Sequence, residues 1–206
     1  MPELVASGLQ TPATLLRHDE TNVFYVHASS SSVWRQPLDG TAGVQLVMGT
    51  SVKDLHVQGG SVFFASGQKV QSIEAMGGGG AVSDIVDDAP RIVLDIDTNG
   101  VDLVWSDGVE LFATSVDDGS MHTPLTQAGP SASGMGQSRI KHMALRGASV
   151  VFADNAGNIG TAPINGSTCR LLISEAGDVR ALAVDDDAIY LNVRVGESSE
   201  LWRIED

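Results

Sequence analysis

The sequence predicts an all-β fold built from one repeated unit, and three observations predict it. First, a short apolar–aromatic cluster returns five times. It reads Val23-Phe24-Tyr25, Val62-Phe63-Phe64, Leu103-Val104-Trp105, Val150-Val151-Phe152 and Ala188-Ile189-Tyr190. Second, the third residues of successive clusters lie 39, 41, 47 and 38 positions apart. Third, Asp-Gly, Asn-Gly and glycine-rich turns separate the runs around each cluster. β-Branched and aromatic residues suit a pleated, half-buried surface, and a period of about forty residues is that of a propeller blade with four strands. The predicted fold is therefore a single five-bladed β-propeller with four antiparallel strands per blade.

The fifth repeat shows the strand order most plainly. Val179–Val184 alternates and reads as a first strand, and Asp185-Asp186-Asp187 as a polar turn. Ala188–Val193 is the second strand and carries the cluster. Residues Arg194–Ser199 form the next turn, and Glu200–Ile204 the third strand. The other repeats continue into a fourth strand. It is Val44–Met48 after Asp39-Gly40, Ala81–Val86 after four glycines at 77–80, a segment after Asp117–Ser120, and a segment after Asn165–Thr168. Asp-Gly and Asn-Gly are strong hairpin signals.

The fourth strand of the last repeat is expected from the other end of the chain. Glu3-Leu4-Val5-Ala6-Ser7-Gly8 precedes Thr14–His18 as Gln45–Gly49 precedes Lys53–Val57. Pairing the N-terminal strand with the C-terminal hairpin closes a ring that would otherwise expose two apolar blade faces and two ladder edges. The blades are expected at 13–50, 51–89, 90–130, 139–177, and 178–206 with 2–8. Together they form one domain over 1–206.

Composition narrows the function classes. The chain has 206 residues, 42% hydrophobic, with 23 glycines, which suits a packed sheet protein with many tight turns. Its formal charge is −14. Such a surface repels phosphate backbones and anionic lipid, so no nucleic acid partner is expected. No apolar run approaches the ~20 residues of a membrane span, so no membrane span is expected. Met1-Pro2-Glu3-Leu4 lacks the basic and apolar regions of a signal peptide. That leaves a cytoplasmic protein or a domain excised from a longer exported one. The lone cysteine, Cys169, has no second thiol to pair with and no nearby histidine, and reads as structural.

Val104-Trp105-Ser106-Asp107-Gly108 resembles the Tyr-Trp-Thr-Asp core of YWTD-type propeller repeats, and Val151-Phe152-Ala153-Asp154-Asn155 is a further copy. Val33–Gly40 is similar to the third strand of those repeats, and Leu182-Ala183-Val184-Asp185 to their first. The likeness spreads over the whole chain. Repeats one, two and five depart from it, reading Tyr25-Val26-His27, Phe64-Ala65-Ser66 and Tyr190-Leu191-Asn192. Receptor-type YWTD propellers have six blades against five here. A bacterial relative of these repeats, or of TolB- and NHL-like propellers, fits best. Nine arginines against three lysines accord with a GC-rich bacterial gene. The resemblance implies a protein-binding platform.

The candidate ligand-binding residues are Lys53, Arg91, Arg139, Lys141 and Arg180. They fall where successive first strands begin, so a propeller gathers them at one mouth of its channel. Cations there would focus field on an anionic ligand or on a partner's acidic segment. The competing reading is local pairing with Asp54, Asp88 or Asp178, worth about 0–1 kcal/mol per exposed pair. His18, Asp54, His56, Asp95 and His142 lie on the first strands without metal-ligand spacing and read as satisfied polar residues between blades. Asp54 and Asp95 are the carboxylates to test for glycosidase chemistry. Asp154–Asn158 reads as a hairpin turn, lacking the spaced ligands of a calcium loop. The aromatics, Trp34 and Trp202 included, read as core. The long loop Gly129–Ser138 should lie beside Arg139 and Lys141. The expected function is a non-catalytic binding or scaffolding propeller that engages a protein partner at the channel mouth. The alternatives are a propeller binding a small anionic ligand or glycan there, and a channel-site hydrolase. No catalytic residue, cofactor or metal is expected.

Overall fold

Every apolar–aromatic cluster becomes the second strand of an antiparallel meander. The computed structural model describes residues 13–28, 30–77, 80–119, 122–125 and 139–205. The first sheet runs β1 (Ala13–His18), β2 (Asn22–His27), β3 (Ser32–Pro37), β4 (Val44–Val47). The second runs β5 (Val52–Gln58), β6 (Ser61–Ser66), β7 (Lys69–Glu74), β8 (Ser83–Val86). The third runs β9 (Asp95–Thr98), β10 (Asp102–Ser106), β11 (Leu111–Ser115), β12 (Thr123–Pro124). The fourth runs β13 (Ile140–Arg146), β14 (Ser149–Asp154), β15 (Ile159–Pro163), β16 (Arg170–Ile173). The fifth has three strands, β17 (Asp178–Val184), β18 (Ala188–Val195) and β19 (Ser198–Glu205). There is no helix among the described residues, so none is long and apolar enough to cross a membrane.

The chain divides into two compact units at Val93 and Leu94. In the first unit, Phe24, Val26 and Val33 of the first sheet share a core with Leu55, Val62 and Phe64 of the second. In the second unit, β14 explains why its cluster is apolar throughout. Val150 and Phe152 enter one core with Val104, Leu111 and Met143, while Val151 and Ala153 enter another with Ile189, Leu191 and Val193. Alternate residues of a strand point to opposite faces, so a strand packed on both sides must be apolar at every position. Each fully buried side chain of this size contributes about 1.5–3 kcal/mol.

Acidic residues hold the turns. Buried Asp154 accepts backbone N–H bonds from Ala156 and Asn158, both at 2.9 Å, and one from Asn158 Nδ2 at 2.8 Å. The hairpin reading of Asp154–Asn158 is correct. Asp107 accepts from the N–H groups of Val109 and Glu110, Asp19 from Thr21 and Asn22, and Asp185 from Asp187 and Ala188. These are side-chain mimics of a backbone turn.

Three expectations need adjustment. The third sheet's last strand is only two residues, Thr123 and Pro124, followed by a bond from the Leu125 N–H to the Leu111 carbonyl at 2.8 Å. The turn expected at Arg194–Ser199 shrinks to Gly196-Glu197. Gly196, at φ +63°, supplies the left-handed conformation that lets β18 and β19 pair from Val195↔Ser198 onward. Trp34 and Trp202 are half-buried rather than core, their indole N–H groups donating to Ser32 Oγ at 2.9 Å and Glu200 Oε2 at 2.8 Å. An indole has a polar edge to satisfy, which suits such half-covered positions. The closing segment 2–8 and the loop 129–138 lie outside the described residues, as do Gly78 and Gly79.

Candidate functional site

The first strands of the second, fourth and fifth sheets carry the same irregularity. In β5 the pairing with β6 steps from Val52↔Ser66 to Asp54↔Ala65, leaving Lys53 as the extra residue. In β13 it steps from Ile140↔Asp154 to His142↔Ala153, leaving Lys141. In β17 it steps from Val179↔Val193 to Ala181↔Asn192, leaving Arg180. A β-bulge re-aims the side chain of its extra residue. Three of the five candidate cations are therefore bulge residues at equivalent places. The other two are not. Arg91 lies four residues before β9, and Arg139 lies just before β13, where its backbone N–H donates to Asn155 Oδ1 at 2.9 Å. In β1 the bulge falls between Thr14 and Arg17, and Leu15 there takes φ +50°.

In the first unit, Lys53 is exposed. Its neighbour Asp54 is buried and pairs with Arg17 of β1 at 3.2 Å, so that acid joins the two first strands.

In the second unit, Lys141 and Arg180 come together on one carboxylate. Lys141 Nζ lies 2.5 Å from Asp178 Oδ1, and Arg180 Nη2 lies 2.6 Å from Asp178 Oδ2. Lys141 Nζ also donates to the Val179 carbonyl at 2.9 Å. The hydrogen bond from Lys141 holds the Asp178 carboxyl below the usual carboxylate range, with further help from the charges of Arg180 and Arg194. Three cations thus surround one acid, a local excess of two positive charges on a chain whose net charge is −14. Beside them, burial pushes the His142 imidazole below its ordinary pKa, and the Lys141 charge adds to this. His142 Nε2 is buried without a partner among the described residues.

Two acids of the third sheet's first strand serve a joint between sheets. Asp95 Oδ2 accepts the Met143 N–H at 3.1 Å, and Asp97 Oδ2 accepts the Leu145 N–H at 2.7 Å. These bonds clip β9 to β13. Neither Asp54 nor Asp95 is a loose carboxylate, and the reading of such residues as satisfied groups between sheets agrees with both. Among the described residues, no cluster of three or more His, Cys, Asp or Glu side chains could hold a metal ion. Burial pushes the Cys169 thiol up, and its Sγ lies 3.0 Å from the Leu125 carbonyl, where it donates.

Local pairing with Asp178 was legible in the sequence. The bulges were not, although one sign exists: Lys141-His142 and Lys53-Asp54 put two polar residues in succession where strict alternation allows one.

No protein-family model matches the chain, and no curated protein matches it. Solved structures do. The computationally designed Ika8 protein aligns over 95% of this chain and 59% of its own, with TM-score 0.72 and 17% identity. Hsv2 from Kluyveromyces lactis aligns over 94% of this chain and 62% of its own, with TM-score 0.66 and 12% identity. YCF48 from Cyanidioschyzon merolae aligns over 91% of this chain and 66% of its own, with TM-score 0.66 and 11% identity. The chain spans less than two thirds of the length of each. These neighbours are β-propeller proteins, and the likeness establishes a β-propeller fold.

Proposed function

We propose that the five sheets are the blades of one propeller, and that residues 2–8 add the fourth strand to the fifth sheet. We further propose that the protein is a non-catalytic binding platform. Its partner is a protein presenting acidic residues, held on the face where the first strands begin, with Lys53, Lys141 and Arg180 as the contacts. Arg91 and Arg139 lie just before first strands and belong to the same rim. The observation that carries this reading is the bulge. Three sheets place a cation on the same extra residue of the same strand. A bulge re-aims the side chain of its extra residue, and although Lys141 and Arg180 also pair with Asp178, the recurrence of a cation at this place in three sheets supports a shared role. The excess of positive charge around Asp178 supports an acidic partner over a neutral one, through steering as much as through contact.

The test is affinity capture from the native host with the wild type, the triple variant Lys53→Gln, Lys141→Gln, Arg180→Gln, and a chain lacking 129–138. The reading expects one acidic protein retained by the wild type and lost with the triple variant at unchanged melting temperature. Its binding should also weaken as salt rises from 50 to 200 mM, because exposed charges are screened over roughly 10 Å at these strengths. Equal retention by the triple variant sinks the reading.

A further inference from the structure

We propose that a cavity in the first unit binds the zwitterion of an apolar α-amino acid, its carboxylate on Arg35 and its ammonium on Glu20 and Asp39. The cavity has a volume of about 520 Å³, inside the ~300–1,000 Å³ range of small-molecule sites. The register of the first sheet explains its layout. Val26 pairs with Val33, Phe24 with Arg35, and Asn22 with Pro37. Paired residues share a side of the sheet and alternate residues keep it, so all six lie on the face that packs against the second sheet. Along that face the apolar core gives way to Arg35, then to Asn22 and Pro37, as the strands run out into their turns. The cavity opens there, with Met76, just beyond β7, as its wall from the second sheet. Its rim is held in place. The Leu38 N–H donates to the Thr21 carbonyl at 2.8 Å and joins the turn after β1 to the turn after β3. Asp19 and Asp39 brace those turns, accepting from the Thr21 N–H at 2.7 Å and the Thr41 N–H at 2.9 Å.

Charges of both signs line this cavity without pairing with each other. Arg35 Nη1 donates to the Ala75 carbonyl at 3.0 Å and to Met76 Sδ at 3.5 Å, two neutral partners that position the guanidinium. Its Nε is buried without a partner, and among the described residues no carboxylate pairs with Arg35. A guanidinium carries five N–H donors, so the Nη2 amino group remains for a ligand. A half-buried cation without a counter-charge is costly, and a ligand carboxylate supplies the counter-charge. On the rim, Glu20 and Asp39 are exposed. Asp39 Oδ1 takes both bonds from Thr41, which leaves Oδ2 to an ammonium. A simple anion would face these two acids and a chain of net charge −14, and a simple cation would face Arg35. A zwitterion is neutral overall and complements both signs. The rest of the lining is apolar. Pro37, Leu38 and Met76 offer the ligand's side chain a surface, and the flexible thioether of Met76 can adapt to its shape.

The experiment is calorimetric titration with four probes: L-leucine, N-acetyl-L-leucine, which lacks the ammonium, L-leucinamide, which lacks the carboxylate, and glycine, which lacks the apolar side chain. The proteins are the wild type, Arg35→Gln, Arg35→Lys, the double variant Glu20→Gln with Asp39→Asn, and Arg203→Gln as a charge change elsewhere. The proposal expects saturable binding of leucine to the wild type, with each other probe bound about tenfold or more weakly, as the loss of one charge-assisted bond or one buried apolar group implies. Arg35→Gln and the double variant should each weaken leucine binding by about tenfold or more for the same reason. Arg35→Lys should fall between, and Arg203→Gln should bind as the wild type does. Absence of saturable leucine binding to the wild type overturns the proposal. So does any other probe binding as tightly as leucine, or unchanged leucine affinity in an Arg35→Gln or double variant that melts like the wild type. The probe series needs only the wild-type protein, so a variant that fails to fold leaves the test standing. Neither result bears on the bulge cations, which the capture experiment tests separately.

Discussion

Two glycines with the same backbone angle should tolerate alanine very differently. Gly40 and Gly157 both have φ +82°. A Cβ on Gly40 would meet nothing within 4 Å. A Cβ on Gly157 would lie 2.7 Å from the Gly177 backbone nitrogen and closer still to its carbonyl oxygen. The left-handed conformation alone costs an alanine about 1–2 kcal/mol, so Gly40→Ala should lose about that much. Gly157→Ala carries the same cost. It must also push away a backbone segment tied to it by the 2.8 Å bond from the Ala176 N–H to the Gly157 carbonyl. Overpacking that shifts backbone costs about 1–3 kcal/mol more, for a total of about 2–5 kcal/mol. Urea unfolding of both variants measures the difference, with the slope of the transition as a check that only stability has changed. Gly177 adjoins Asp178, so Gly157→Ala should also loosen the Lys141–Asp178 pair. Equal destabilisation of the two variants within about 0.5 kcal/mol would refute the packing argument.

Three more expectations rest on titration and turn geometry. Lys141→Gln should raise the Asp178 pKa toward the ordinary carboxylate value, read by NMR of the side-chain carboxyl, because the hydrogen bond from Lys141 is the largest cause of its depression. An unmoved Asp178 titration contradicts the bridge. His142 has a folded pKa below its unfolded value, so the unfolded chain binds the proton first as pH falls. Its contribution to stability is complete above pH about 6.5 and is lost below it. The melting temperature should therefore drop between pH 7.5 and 5.5, less steeply in His142→Asn, and an identical pH profile for the two proteins would oppose this. Asp154→Ala removes the acceptor of three hydrogen bonds and strands buried donors at about 1–3 kcal/mol each, so chemical unfolding should show a loss of about 3 kcal/mol or more. Asp39→Ala, whose two bonds to Thr41 are exposed, should lose under about 1 kcal/mol, and similar losses for the two would undo the distinction.

The second strands were legible because double-sided burial leaves an unbroken apolar run, and nothing else in the chain produces Val150-Val151-Phe152-Ala153. The turns were legible because Asp and Gly have few other reasons to recur at fixed offsets. The bulges were opaque for a physical reason. One extra residue changes no composition and leaves the flanking pattern intact on either side, so only the successive polar residues Lys141-His142 and Lys53-Asp54 mark it. The clip between β9 and β13 was equally hidden. Asp97 acts through the Leu145 backbone N–H, and a backbone donor is the same in every sequence. The role of Asp178 could be read because it stands two residues before Arg180, but its second cation comes from another sheet.

The ring's closure is tested most directly at the outer edge of β19, by hydrogen exchange of its outward-facing amides in the full chain and in a chain lacking 2–8. The account predicts slow exchange over Glu200–Ile204 in the full chain, lost on truncation together with a sharp cooperative melt. Fast exchange in the full chain, or the same protection and melting temperature in both, would contradict it.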